Sequence, residues 1–312
     1  MAISAATEIG WEAKLVRPGE DQAGLGVLLG IGYEGNFMPV FAGPRRCPRV
    51  AWVGEPLIMD GSGSASVLTR IARSRAMDYL KLGFGPFKDV PLPGKLSGIR
   101  ADATTQRERA RHLRIIADVV GRGDRLVVTS RDRQDELRSR GLTAAAVPFG
   151  YAPAVAGQIA PPDVGRRDLA LVTLASQHAR KAARRAVIDR WQEMEPRLLA
   201  IEGAWGEQRN IILRRSKVVL NVARVPGEFV GVRLVLAIAA GAVVVTEPMN
   251  DPYPFVAGEH FVEAPLDCVL EAARELEADE PRRRRISLAG QTLLVGELSA
   301  ARCLRRALDV ST

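Results

Sequence analysis

The sequence predicts an α/β protein made of two Rossmann-like domains, and three observations carry that expectation. Apolar β-branched runs of strand length alternate with segments of helical periodicity along most of the chain. A Pro-rich aperiodic stretch, Tyr151 to Gly165, interrupts the alternation near the middle. The 312 residues suit two domains of about 150 residues each. The expected division is residues 1–158 and 159–312.

The clearest block runs from Arg214 to Glu247. Lys217 to Val222 and Val243 to Thr246 are apolar runs that read as buried strands of a parallel sheet. Between them Leu234, Val235, Ile238 and Ala239 recur at helical spacing, Ala237, Ala239 and Ala240 keep the helix thin, and Gly241 stands where a left-handed C-cap belongs. The start of that helix carries Gly227, Glu228, Phe229, Val230 and Gly231. A carboxylate and free backbone N–H groups thus sit at a strand's carboxyl end, where open α/β sheets bind ligands.

The flanking elements follow in order. Residues 1 to 50 are glycine-punctuated, with a strand expected over Gly26 to Ile31 and a substrate loop or structural turn over Gly32 to Phe37. Arg49 to Gly54 reads as a strand ended by Glu55-Pro56, and Asp60 to Ser64 as a turn at its carboxyl end. Glu55 and Asp60 are either candidate base residues or solvated loop acids. Val67 to Leu82 has helical periodicity, 83–98 is a Pro- and Gly-rich loop, and Thr105 to Val120 is an amphipathic helix. That last helix carries His112, a candidate general base or a surface or packing residue. A strand at Arg125 to Thr129, a helix at Asp132 to Gly141 and a strand at Ala144 to Val147 complete the first half.

In the second half Leu169 to Leu174 is a strand, followed by Arg180 and Lys181 entering a helix, with Arg184 and Arg185 one turn on. Cations and N–H groups at such a place hold a diphosphate, or line a solvated helix face. Ala200 to Arg214 has no assignable pattern. Asn250, Asp251 and Tyr253 lie in a Pro-rich loop after the Val243 strand and edge the expected cleft. Helices are expected over Leu266 to Leu276, from Pro281, and over Leu298 to Leu308, with Arg282 to Arg285 as a solvated helix start.

Lys plus Arg exceed Asp plus Glu, 44 against 36, giving a net charge of +8. That balance favours anionic partners such as nucleotide diphosphates, nucleic acid or an acidic membrane surface. Cys47, Cys268 and Cys303 are too few and too scattered for a disulfide framework, and no spacing suggests a metal site. No apolar run reaches the ~18 residues of a membrane span, and no cleaved leader is legible, so a cytoplasmic protein is expected.

Two blocks resemble those of glycosyltransferases with the GT-B fold, above all the spore-maturation-like branch of the retaining group-1 superfamily. One is the SKVVLN strand, the turn with Glu228 and Phe229, the helix ending at Gly241 and the VVVTE strand; the other is VVTSRDRQDELRSRGLTAAAVPFG. The resemblance implies a donor site in the second domain, an acceptor between the domains, a trimmed first domain and a C-terminal helix crossing back to it. It implies Glu228 as the residue gripping the donor sugar, and Arg180, Lys181, Lys217, Phe229, Gly231 and Arg233 as donor-binding. Glu55, Asp60 and His112 fall on the acceptor side. The nucleotide-diphosphate sugar is a co-substrate, and neither cofactor nor bound metal is needed. Relatives carry a second glutamate for the ribose eight positions after the first; here that position is Leu236.

The leading reading is therefore a metal-independent glycosyltransferase. The alternatives are a nucleic-acid-modifying protein that glycosylates DNA, and a GT-B-like binding protein without turnover, which Leu236 favours. Aromatic residues, 5% of the chain, are too sparse for an extended base-stacking surface.

Overall fold

The computed structural model describes residues 2–8, 10–16, 20–32, 41, 46–54, 119, 121, 123–162, 167–174, 182–223 and 227–309. Met1–Glu55 and Asp124–Thr312 form one compact unit and Pro56–Gly123 a second. Glu55, Asp60, His112, Arg180 and Lys181, and the helices expected over 67–82 and 105–120, lie outside the described residues or almost entirely so.

The first unit contains two parallel sheets. One has β1 (Leu28–Gly32), β2 (Arg49–Val53), β3 (Arg125–Val128) and β4 (Ala145–Ala146) in that order. Ala51 stands opposite Gly30 on one side and Leu126 on the other. All five residues of β2 are buried, as expected of a strand covered on both faces. Trp52 fixes the end of this sheet: its Nε1–H donates to the Val147 carbonyl at 2.9 Å, and its ring centroid lies 5.1 Å from that of Phe149. Helix α1 (Ala2–Glu8) precedes the sheet, and α2 (Arg131–Arg138) links β3 to β4.

After a short helix α3 (Pro153–Ala156) the second sheet begins. Its strands are β5 (Leu169–Leu174), β6 (Leu198–Ile201), β7 (Ser216–Asn221), β8 (Val243–Thr246) and β9 (Val262–Glu263), ordered β6-β5-β7-β8-β9. Helices α4 (Ala182–Met194), α5 (Gly206–Arg215) and α6 (Gly231–Ala239) make the crossovers. The expected α/β architecture with two parallel sheets is what the chain adopts.

The central block folds as its pattern dictates. In β7 every residue but Lys217 is buried. Helix α6 buries seven of its residues, its alanines allowing a close approach to the sheet and to the following helices. Gly241 has φ +77°, and Ala242 N–H closes the cap on the Ala237 carbonyl at 2.9 Å, the left-handed termination that glycine makes inexpensive.

Helices α7 (Val269–Ala278), α8 (Glu280–Gly296) and α9 (Ala300–Asp309) complete the chain. Asp279 caps α8 by accepting from Arg282 N–H at 2.9 Å, with Pro281 in the first turn. Helix α9 packs on α1 and β2, burying Cys303, Leu304 and Ala307 in one core with Ala5, Ala6 and Trp52. The stretch after residue 150 is aperiodic in sequence yet held down. Tyr151 N–H donates to the Leu298 carbonyl at 2.6 Å, Ala160 N–H to the Ala239 carbonyl at 2.9 Å, and Arg167 to the Ser216 carbonyl at 2.7 Å.

Glu195 makes the main buried-charge staple of the second half. Arg197 and Arg274 each donate to it at 2.9 Å, and the Arg197 bond is the first cause holding its carboxyl down at about 2. A carboxyl depressed in the fold stabilises fully above its unfolded value, about 4.3, and that contribution is lost as pH falls towards the folded value. The parent should therefore lose more stability between pH 7 and pH 3 than Glu195→Gln, as read from urea midpoints at each pH. Equal losses would contradict the staple. No helix among the described residues is long and apolar enough to cross a membrane.

Candidate functional site at the carboxyl edge of the second sheet

The register sets three strand ends side by side: Thr173 stands opposite Leu220, and Asn221 opposite Thr246. The carboxyl ends of β5, β7 and β8 thus lie in a row, with neighbouring strands about 4.8 Å apart. Polar side chains tie the row together. Asn221 Nδ2 donates to Thr246 Oγ1 at 2.8 Å, and Arg233 on α6 donates to Asn221 Oδ1 and to the Val222 carbonyl.

Beyond β7 the chain turns at Gly227, whose φ of +78° and close approach to the Asn250 side chain both demand glycine. Asn250 N–H donates back to the Gly227 carbonyl at 3.0 Å, so the loop after β8 is fastened to the turn that presents Glu228. Phe229 is buried, its ring folded over Gly231, where a Cβ would collide with it, and 6.3 Å from the Phe255 ring. Leu236, in the place of the second motif glutamate, is buried in the apolar face of α6.

Two further charged residues complete the edge. Arg184, in the first turn of α4, is 5% exposed and donates through Nη2 to the Leu174 carbonyl. Its Nε and Nη1 have no hydrogen-bond partner among the described residues. Burial pushes this guanidinium below its ordinary value, while the charges of Glu228 and Glu247 act to keep it protonated. Glu247, directly after β8, is 7% exposed and accepts from Ala223 N–H at 2.6 Å. Burial pushes its carboxyl up and Glu228 adds to the shift, against the Ala223 bond and the attraction of Arg184. A buried cation with open N–H donors beside two carboxylates can bind a phosphate next to hydroxyl groups.

Lys217 does not join this group. As the second residue of β7 it lies four residues, about 13 Å, from the strand's carboxyl end, and it pairs with Glu277 at 2.6 Å. Glu228, Phe229, Gly231 and Arg233 lie on the turn and first helical turn at this edge, Arg233 bonded to the end of β7, and Arg184 and Glu247 stand beside them without a role assigned from sequence. A signal for Arg184 was present: it shares a helical stripe with Ile188 and Trp191, both buried, so it faces inward unlike exposed Arg185 and Arg190.

The loop between β8 and β9 edges the site. Asp251 accepts from Tyr253 N–H at 3.0 Å, and the Arg131 guanidinium at the start of α2 lies 3.2 Å from the Tyr253 ring centroid, a cation–π contact joining the two halves. His260 locks the loop by accepting from Val256 N–H through Nδ1 at 2.9 Å. Burial pushes His260 below its ordinary value. A neutral ring favoured by the fold stabilises fully above the unfolded value near 6.5, and protonating Nδ1 as pH falls through the folded value breaks the bond. Amide exchange at Val256, corrected for intrinsic rate, should accelerate from pH 7 to pH 5; unchanged protection would contradict this. Among the described residues no group of three or more His, Cys, Asp or Glu is placed to hold a metal.

Residues 166–309 match the family model described as Glycosyl transferase-like. No curated protein matches the chain. Among solved structures, TarM is 10% identical with a TM-score of 0.57, over 91% of this chain and 54% of that one, so the chain spans about half the length of TarM. WaaG, a glycosyltransferase involved in lipopolysaccharide biosynthesis, is 12% identical with a TM-score of 0.51, over 91% of this chain and 99% of that one. Sucrose-phosphate synthase from Thermosynechococcus elongatus is 16% identical with a TM-score of 0.50, over 93% and 75%. The chain has the GT-B fold of these structures, and residues 166–309 of its second half are similar to the glycosyl transferase-like family.

Proposed function

We propose that the protein transfers a sugar from a nucleotide-diphosphate sugar to an acceptor. The observation that carries this reading is Arg184: a buried guanidinium whose Nε and Nη1 have no hydrogen-bond partner among the described residues, beside Glu228, at the strand edge of a glycosyl transferase-like domain. As the bond from the anomeric carbon to the diphosphate breaks, its electron pair goes to the phosphate, and Arg184 neutralises that charge in a site shielded from water. Glu228 accepts hydrogen bonds from sugar hydroxyls and so orients the ring. The acceptor oxygen then bonds the anomeric carbon, and its proton passes to the departing diphosphate oxygen.

In this reading Arg180 and Lys181, just before α4, join Arg184 on the diphosphate. Phe229 and Gly231 form the wall, Arg233 holds Asn221 at the strand end, and Lys217 belongs to the ion pair with Glu277 rather than to the donor. Glu55, Asp60 and His112 serve the acceptor side. Retention of configuration, independence of metal, membership of the spore-maturation-like branch and a cytoplasmic setting belong to the same proposal.

A thermal-shift screen against UDP, GDP, ADP and dTDP and their sugars tests it. A ligand at 100 times its Kd adds about 2.7 kcal/mol of apparent stability. One nucleoside diphosphate should raise the melting temperature where its nucleoside does not; no response to any of them contradicts the reading.

A further inference from the structure

We infer that Glu247 is a second hydroxyl-binding carboxylate of the site, set beside Glu228 to accept hydrogen bonds from a vicinal pair of hydroxyls on the ligand. The inference rests on the proposed sugar transfer and names a residue that neither the sequence nor the family match assigns.

Glu247 stands immediately after β8, one residue past Thr246, and Thr246 is paired laterally with Asn221 at the end of β7. Its Oε1 is taken by Ala223 N–H at 2.6 Å, and no other hydrogen bond to it exists among the described residues. An ionised carboxylate is an acceptor only, with about four lone-pair sites on two oxygens, so Oε2 is left with acceptor capacity in a place 93% removed from solvent (7% exposed). Burial and the neighbouring Glu228 charge both disfavour ionised Glu247, and hydroxyl donors from a ligand would relieve that cost.

Arg184 supplies the complement. Its open Nε–H and Nη1–H are donors, so the edge offers acceptors at two carboxylates and donors at one guanidinium. Only a ligand with an anionic oxygen close to hydroxyls satisfies both. The junction of a sugar with a phosphate has that chemistry, whether the hydroxyls belong to the ribose or to the transferred sugar.

The test uses the full chain and Glu247→Gln, whose amide oxygen still accepts from Ala223 N–H while Oε2 becomes an NH2 donor. Titration calorimetry measures binding of UDP, GDP, ADP and CDP, their 2′,3′-dideoxy analogues, and UDP-glucose, GDP-mannose, ADP-glucose and CDP-glucose. If the hydroxyls are the ribose's, E247Q binds the parent's preferred diphosphate about tenfold more weakly, yet binds its dideoxy analogue as the parent does. If they belong to the transferred sugar, only the nucleotide sugar shows the loss. Unchanged binding of every ligand, or an equal loss for the ribo and dideoxy forms, overturns the role. Glu247→Asp, which keeps the charge but withdraws it by a methylene, gives the same contrast should the Gln variant fail to fold. If the parent binds none of these compounds, the sugar-transfer reading itself falls and Glu247 with it; if the parent binds and the contrast is missing, only Glu247 falls.

Discussion

Arg184→Met is expected to remain folded near the parent's melting temperature while binding nucleoside diphosphates about a hundredfold or more weakly. The guanidinium is buried with Nε and Nη1 unpartnered among the described residues, so these contacts leave part of its desolvation uncompensated. A methionine of similar stem length fills the space without that cost. Against this, Glu228 and Glu247 lose a compensating charge. Glu247, already pushed up by burial, absorbs the loss by taking a proton more readily, and the two effects leave stability close to the parent's. Binding has no such offset. Charge-assisted hydrogen bonds of about 1.5 to 3 kcal/mol each are removed, and each 1.4 kcal/mol is a factor of ten. The nucleoside without phosphates should bind equally to both forms. Calorimetric titration of diphosphate and nucleoside on the same preparations checks this, and equal losses for the two ligands would contradict a phosphate-binding Arg184.

Glu228→Gln is expected to melt near the parent and to lose sugar transfer, or donor hydrolysis without acceptor, by about tenfold or more. A bland account competes: the carboxylate lies just before α6, whose N-cap Val230 makes no side-chain cap, and a charge there contributes about 0.3 to 1 kcal/mol through the helix dipole. The two accounts part on which quantity moves. A dipole role lowers stability and leaves turnover per folded molecule unchanged; a hydroxyl-binding role lowers turnover and leaves stability nearly unchanged.

The block from β7 to β8 was legible because its signals agree: continuous β-branched runs, a helical apolar stripe and a glycine at the cap. The strand order and register that align Leu174, Asn221 and Thr246 were not, since they come from long-range pairing. Lys217 shows the consequence. The resemblance puts it among the donor-binding residues, yet a parallel strand delivers only its carboxyl end to the ligand, and Lys217 stands at the other. Glu247 hid in a similar way, as the last letter of a strand-like run followed by proline. Helix α5 and strand β6 escaped because Leu199 on the edge strand is 41% exposed and Trp205 at the helix start is 78% exposed, so neither shows a clean apolar period.

The central claim, a nucleotide-sugar site around Arg184, Glu228 and Glu247, is tested most directly by a crystal structure with the nucleoside diphosphate that the thermal screen selects. The diphosphate should lie within hydrogen-bond distance of Arg184 Nε and Nη1, with Glu228 facing the position of the departing sugar. A nucleotide bound elsewhere, or one whose phosphates leave Arg184 Nε and Nη1 without a partner, would contradict the account.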